Sequence, residues 1–269
     1  MNLNKHRVAI LGAGNLGCSI AEGLYASGTF SADSIYLTRR RIEKLDPYKE
    51  RGFQVTADNQ QAVTRSSILL ICVEPHQLDQ LLEEIRETVD PAEQIVISVV
   101  SGAEVAEIKK KLPAGTPVVR AMPNTAISIR ESMTCICSDE EDRAAAEIAT
   151  SIFDTVGHTQ IIHEEQMSSA TALCACGIAF FLRAIRAASQ GGIEIGFSSQ
   201  EALKMATQTA KGAASLLSAS NNHPEHEIDR VTTPKGCTIS GLNRMEHGGF
   251  SSALIQGILH SAEKAGKLY

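Results

Sequence analysis

Residues 7–24 read RVAILGAGNLGCSIAEGL. Arg7–Leu11 is an apolar β run, and Asn15–Ser27 has helical periodicity that stops at Gly28. Between them Gly12, Ala13, Gly14, Asn15, Leu16 and Gly17 form a G-x-G-x-x-G turn. A strand before it and a helix after it are the context a dinucleotide-binding fold requires. The first glycine permits the tight turn, the second lets backbone approach a pyrophosphate, and the third lets the helix pack on the sheet. The start of the helix then offers unpaired N–H groups and the positive end of its dipole to phosphate oxygens.

The segments that follow extend the same pattern. Strand-like runs fall at Ser34–Thr38, Gln54–Ala57, Ile68–Val73, Ile95–Val100, Val118–Met122, Met133–Cys137 and His158–Ile162. Helical runs between them cover Ile42–Arg51, Asn59–Thr64, Leu78–Val89 and Val105–Leu112. The alternation predicts an α/β fold with a Rossmann-like, doubly wound parallel sheet. After His163 the strands stop, and Glu164–Gly191, Ser199–Ser220, Cys237–His247 and Ser251–Lys267 read as helices. The expected division is a dinucleotide-binding domain over 1–163 and an all-α C-terminal domain over 164–269, the latter rich in small residues that let helices approach closely.

The second strand carries the cofactor preference. It ends at Thr38 and continues Arg39-Arg40-Arg41, with none of the acidic residues that accept from a ribose 2′-hydroxyl. A hydroxyl and guanidinium groups suit a 2′-phosphate instead, so NADPH is expected to bind better than NADH. Cys72, Val73, Glu74 and Pro75 at the end of the fourth strand, and Ser101 after the fifth, belong to the carboxyl edge where ligands of such sheets bind. Asn124, in RAMPNT, lies near the same edge, as a ligand contact or a turn cap.

The formal net charge is −6 and no long basic run is present, the opposite of what nucleic-acid binding by counterion release demands. The uncharged, apolar stretch Ala170–Leu182 is too short to span a bilayer and reads as a buried helix. Seven cysteines without a C-x-x-C pair point to free thiols and a cytoplasmic protein. The two C-x-C pairs, Cys135/Cys137 and Cys174/Cys176, lack a second Cys/His pair at ligand spacing, so no metal is expected.

One C-terminal stretch stands apart. Residues 230–246 read RVTTPKGCTISGLNRME, with a proline, a lysine and a glycine before Cys237 and Thr238 open a helix. An anion-binding pocket and a plain interhelical turn both fit that pattern.

With RVAILGAGNLG, ILLICVEP, VVRAMPNT, the Gly191–Leu217 segment and VTTPKGCTISGLNRMEHGGF in this order, the chain resembles the pyrroline-5-carboxylate reductase family along nearly its whole length. The resemblance implies NADPH-dependent reduction of 1-pyrroline-5-carboxylate to L-proline, the last step of proline biosynthesis. It implies that Thr233, Gly236, Cys237 and Thr238 hold the substrate carboxylate, that the Thr238 hydroxyl faces the ring nitrogen, and that Asn221 lies in the loop before them. It adds Asn59 to the cofactor contacts and implies homodimers through the C-terminal helices, which can associate into higher homo-oligomers. The chain departs from the family pattern at Glu74, Ala126, Cys174–Phe180, Asn221 and Lys235. These departures keep two alternatives open: reduction of another cyclic imine or carbonyl acid, and a non-catalytic NADP(H)-binding protein.

Overall fold

The computed structural model describes residues 3–220 and 222–269. Eight strands form one sheet: β1 Val8–Leu11, β2 Ile35–Thr38, β3 Gln54–Thr56, β4 Ile68–Ile71, β5 Ile95–Ser98, β6 Val118–Met122, β7 Ser132–Ser138 and β8 Gly157–Ile161. Their order is β3-β2-β1-β4-β5-β6-β7-β8. The order reverses beside β1, so the glycine turn lies at the switch point where doubly wound sheets open a crevice. The helices linking the strands are α1 Asn15–Ala26, α2 Asp46–Glu50, α3 Asn59–Thr64, α4 Leu78–Ile85, α5 Val105–Lys111 and α6 Arg143–Phe153.

The expected parallel sheet needs one correction. β7 pairs antiparallel with β6, with Met122 opposite Cys135. The connection 123–131 is too short for a parallel crossover, which takes a dozen or more residues, so the chain can only turn back. β8 then runs parallel to β7, because α6 supplies the longer crossover between them.

The core follows the two-residue period of a strand covered on both faces. Val8 and Ile10 join the apolar cluster on one face, while Ala9 and Leu11 join the cluster on the other. α4 shows the helical counterpart: Leu78, Leu81, Leu82 and Ile85 are buried at i, i+3, i+4 and i+7. The predicted helix Ile42–Arg51 is instead a 3₁₀ turn, Ile42–Leu45, followed by the short α2 with Pro47 in its first turn.

The C-terminal region is helical throughout its described residues. It comprises α7 Met167–Ala170, a π-helical run Thr171–Cys176, α8 Gly177–Glu194, α9 Ser199–Ser220, α10 Pro224–Val231, α11 Cys237–His247 and α12 Phe250–Ala265. α10 escaped the sequence reading; its charged sequence PEHEIDRV lacks an apolar stripe, and Pro224 with the His223 side-chain cap sets its start. Two compact units result. One runs through Cys176 and takes in His260–Tyr269, and the other is Gly177–Leu259.

The helical run Glu164–Glu194, which contains Ala170–Leu182, is long and apolar enough to cross a membrane by length and composition alone. It is the one such helix among the described residues, and less than a quarter of its most apolar window is buried. Much of the apolar surface of the second unit is likewise exposed, including Phe181, Leu182, Leu216, Ile255 and Leu259.

Candidate cofactor and substrate sites

A cavity of about 640 Å³ opens at the carboxyl edge of the sheet in the first unit. It gathers residues far apart in the chain: Gly12 and Gly14 after β1, Thr38, Arg39 and Arg40 after β2, Asn59 at the start of α3, and Cys72, Val73 and Glu74 after β4. Gln77, the N-cap of α4, and Gln80 and Glu84 within that helix also line the cavity. The sequence carries no signal for these three, because only the docking of α4 brings them to the crevice.

The glycine turn accounts for two of its glycines from within. Gly12 has φ +93°, and a Cβ there would stand 2.7 Å from Val73 Cγ1. A Cβ on Gly17 would stand 2.8 Å from the Gly12 carbonyl oxygen, as α1 packs on the turn. Gly14 differs. Its φ of −83° suits any residue, and no atom of the protein lies within 4 Å of its missing Cβ. Space kept clear at a bare helix N-terminus, with no capping side chain, fits an incoming pyrophosphate. Gly14→Ala is therefore expected to leave stability within about 0.5 kcal/mol, as for surface changes. It should weaken NADPH binding by roughly 1.5 kcal/mol or more, the scale of a hydrogen bond to a charged group. Thermal unfolding and NADPH fluorescence titration check the two halves.

A hydrogen-bond relay braces the turn. Asn59 Nδ2 donates to both Glu84 carboxylate oxygens at 3.1 Å. Thr38 Oγ1 donates to Asn59 Oδ1 at 2.6 Å and accepts from the Gly12 N–H at 3.2 Å. Thr38 is 1% exposed, so its single proton is committed to Asn59. The cavity's cations are half-buried Arg39 and exposed Arg40 and Arg41, and no carboxylate pairs with them among the described residues. Arg39 Nη1 donates to the Ala13 carbonyl at 3.1 Å, tying the arginine cluster to the glycine turn. Burial pushes the Cys72 thiol far up, with Cys18 adding to the shift, so it stays protonated at neutral pH.

The remaining predicted cofactor residues lie around this cavity without lining it. Ala13 is fully buried, Leu16 packs on the core, and Asn15 is exposed on the first turn of α1. Pro75 begins the 3₁₀ turn before α4, and Ser101 is half-buried beyond β5. Asn124 is 7% exposed; its Oδ1 accepts from the Ala126 N–H and its Nδ2 donates to the Cys174 carbonyl. That is the turn-capping geometry, extended to the π-helical run.

In the second unit, Thr233, Gly236, Cys237 and Thr238 come together at the N-terminus of α11. Gly236 is the N-cap and brings no side chain, so the first N–H groups of the helix have no side-chain acceptor. The Gly236 N–H donates to the Thr233 carbonyl, closing the turn, and a Cβ on Gly236 would collide with Thr233 Oγ1. Lys235 holds φ +61°, a left-handed backbone uncommon for a residue with a side chain. Asn221 lies outside the described residues.

A switch-point crevice with a glycine turn, and arginines that no carboxylate pairs with among the described residues, defines a protein of the dinucleotide-binding class. The comparisons narrow the class. Residues 164–268 match the family described as pyrroline-5-carboxylate reductase dimerisation, and residues 7–102 match NADP oxidoreductase coenzyme F420-dependent. Pyrroline-5-carboxylate reductase 1 of Dictyostelium discoideum is 52% identical over all of this chain, which spans 51% of that protein's length. Pyrroline-5-carboxylate reductase 2 of the same organism is 50% identical, with 98% of this chain and 93% of the relative covered. The solved pyrroline-5-carboxylate reductase of Coxiella burnetii is 28% identical and superposes with a TM-score of 0.87, covering 98% of this chain and 99% of that one. The chain belongs to the pyrroline-5-carboxylate reductase family.

Proposed function

We propose that the chain is an NADPH-dependent reductase of 1-pyrroline-5-carboxylate that forms L-proline. The observation that carries the cofactor half is the cavity itself, where Gly14 is left clear and the unpaired guanidinium groups of Arg39 and Arg40 meet at the end of β2. Family membership carries the substrate half. When bound, NADPH supplies the hydride that reduces the imine carbon.

In this reading the backbone N–H groups of Asn15, Leu16 and Gly17 at the uncapped start of α1 hold the pyrophosphate, while those of Gly12, Ala13 and Gly14 are bonded within the turn and shape it. Arg39 and Arg40 face the 2′-phosphate, and Asn59 holds Thr38 and the turn in register. Cys72, Val73 and Glu74 form the crevice wall, Pro75 and Ser101 stand behind it at the ends of their strands, and Asn124 anchors the loop after β6. Thr233, Gly236, Cys237 and Thr238 hold the substrate carboxylate through N–H groups at a helix N-terminus, an arrangement that needs no cationic side chain. The Thr238 hydroxyl orients the ring nitrogen, and a proton reaches that nitrogen from the hydroxyl or from water it orders.

Residues 1–163 serve as the dinucleotide-binding domain, and 164–269 as the substrate-binding and dimerisation domain. Two copies pair through the C-terminal helices, whose exposed Phe181, Leu182, Leu216, Ile255 and Leu259 then leave water. Seven free thiols favour a reducing compartment, the cytoplasm.

The test is NADPH oxidation with 1-pyrroline-5-carboxylate beside other cyclic imines, run on the parent and on Lys235→Gly. The glycine variant is expected to keep the pyrroline-5-carboxylate rate and to gain about 0.5–1 kcal/mol of stability from relieving the left-handed backbone. Turnover of a different imine alone, with its KM raised by Lys235→Gly, would transfer the assignment to that substrate. NADPH binding without turnover of any imine would favour the non-catalytic alternative.

A further inference from the structure

One cysteine from each of the two C-x-C pairs that found no metal partner in the sequence meets the other in the fold. Cys135 lies on β7 and Cys174 in the π-helical run before α8, and their sulfur atoms are 3.9 Å apart. The other members of the pairs do not join them: Cys137 packs with Met122 and Met167 in a separate apolar cluster. Cys135 is 4% exposed, whereas Cys174 is only half-buried and open to a small reagent. The hydrogen bond between the two thiols lowers the Cys174 thiol below the usual cysteine range, against the opposing effect of burial. Thiolate character and access, the two conditions for a reactive cysteine, coincide on Cys174, and a resolving thiol stands beside it.

The surroundings couple this pair to the cofactor-domain edge. π-Helical turns stretch the backbone hydrogen-bond pattern, and here the Cys174 carbonyl accepts from Asn124 Nδ2 at 3.1 Å. The same Asn124 caps the turn after β6. Closing a disulfide requires the sulfurs to approach to about 2.05 Å, so the Cys174 turn must shift toward β7. That shift moves the acceptor of Asn124.

We propose that Cys135 and Cys174 form a modification site for hydroperoxides, a dithiol that closes reversibly to a disulfide and displaces the Asn124 loop. The Cys174 thiolate attacks the peroxide oxygen; the S–O bond forms, the O–O bond breaks, and the departing oxygen takes a proton. Cys135 sulfur then attacks the sulfenic sulfur; the S–S bond forms, the S–O bond breaks, and hydroxide leaves as water with the Cys135 proton. Two thiols are oxidised and one hydroperoxide is reduced by two electrons. A small dithiol reverses the change by exchange.

The experiment uses the full chain with hydrogen peroxide. Free thiols are counted, tryptic fragments are weighed, and pyrroline-5-carboxylate reduction is followed before and after dithiothreitol. The expected result is loss of two thiols and a fragment joining 131–143 to 144–183, lighter by two hydrogens than its parts. The rate should fall severalfold and recover on reduction. Cys135→Ser should keep the basal rate, form no joined fragment and resist the inhibition, while Cys137→Ser and Cys176→Ser should behave as the parent. A joined fragment that persists in Cys135→Ser, or inhibition that persists without one, would overturn the site. A joined fragment with an unchanged rate would overturn the coupling to Asn124.

Discussion

Thr238→Ala is expected to lower kcat/KM for 1-pyrroline-5-carboxylate by about 10- to 1,000-fold, the range for losing one orienting or acid–base contact. Thr238 is the second residue of α11, after Cys237 and two beyond the N-cap Gly236, in the first turn of the open helix N-terminus. Removing it leaves the backbone N–H groups in place. The carboxylate should still bind, and the loss should fall mainly on kcat. NADPH affinity should be unchanged, because the cofactor cavity is built by residues 12–84. Cys237→Ser is the matching control: it preserves the N–H and the size, and should be nearly silent. Unchanged imine kinetics in Thr238→Ala would reduce the stretch 230–246 to an interhelical turn.

Replacing Arg39 and Arg40 together with alanine is expected to weaken NADPH binding by roughly 1–3 kcal/mol, the scale of charge-assisted hydrogen bonds, with little change for NADH. The structure separates the two arginines. Arg39 also holds the Ala13 carbonyl, so its loss loosens the glycine turn that both cofactors use. Arg40 is exposed and makes no such contact, so Arg40→Ala is the cleaner probe of the 2′-phosphate. Its effect should shrink as salt rises, since an exposed ion pair is screened. Equal losses of NADPH and NADH binding in Arg40→Ala would defeat the 2′-phosphate assignment.

The nucleotide half was legible because its signals are local. A strand, a glycine turn and a helix N-terminus sit within residues 7–24, although the close neighbour that Gly12 makes room for is Val73, after β4. The arginine run was equally plain, directly after the strand that places it. The C-terminal helices α8, α9, α11 and α12 were also readable, from small residues and the absence of strand periodicity. α10 was not, because a short, charged helix with no buried residue has no apolar stripe to reveal it. The substrate stretch could be located by resemblance, but its openness rests on Gly236 leaving the helix start without a side-chain acceptor.

Sequence alone determined the doubly wound architecture, the place of the phosphate-binding turn, the arginines at the end of the second strand and the family. All of these depend on residues adjacent in the chain or on the period of their burial. Tertiary structure alone decided that β7 runs against β6, where a short connection overrides the parallel pattern. It decided that the Thr38 proton is committed to Asn59, that Glu84 orients that amide, and that Cys174 meets Cys135. Those contacts join residues 21, 25 and 39 positions apart. They exist only because sheet register and helix docking bring separate elements together, and no periodicity within one segment encodes that meeting.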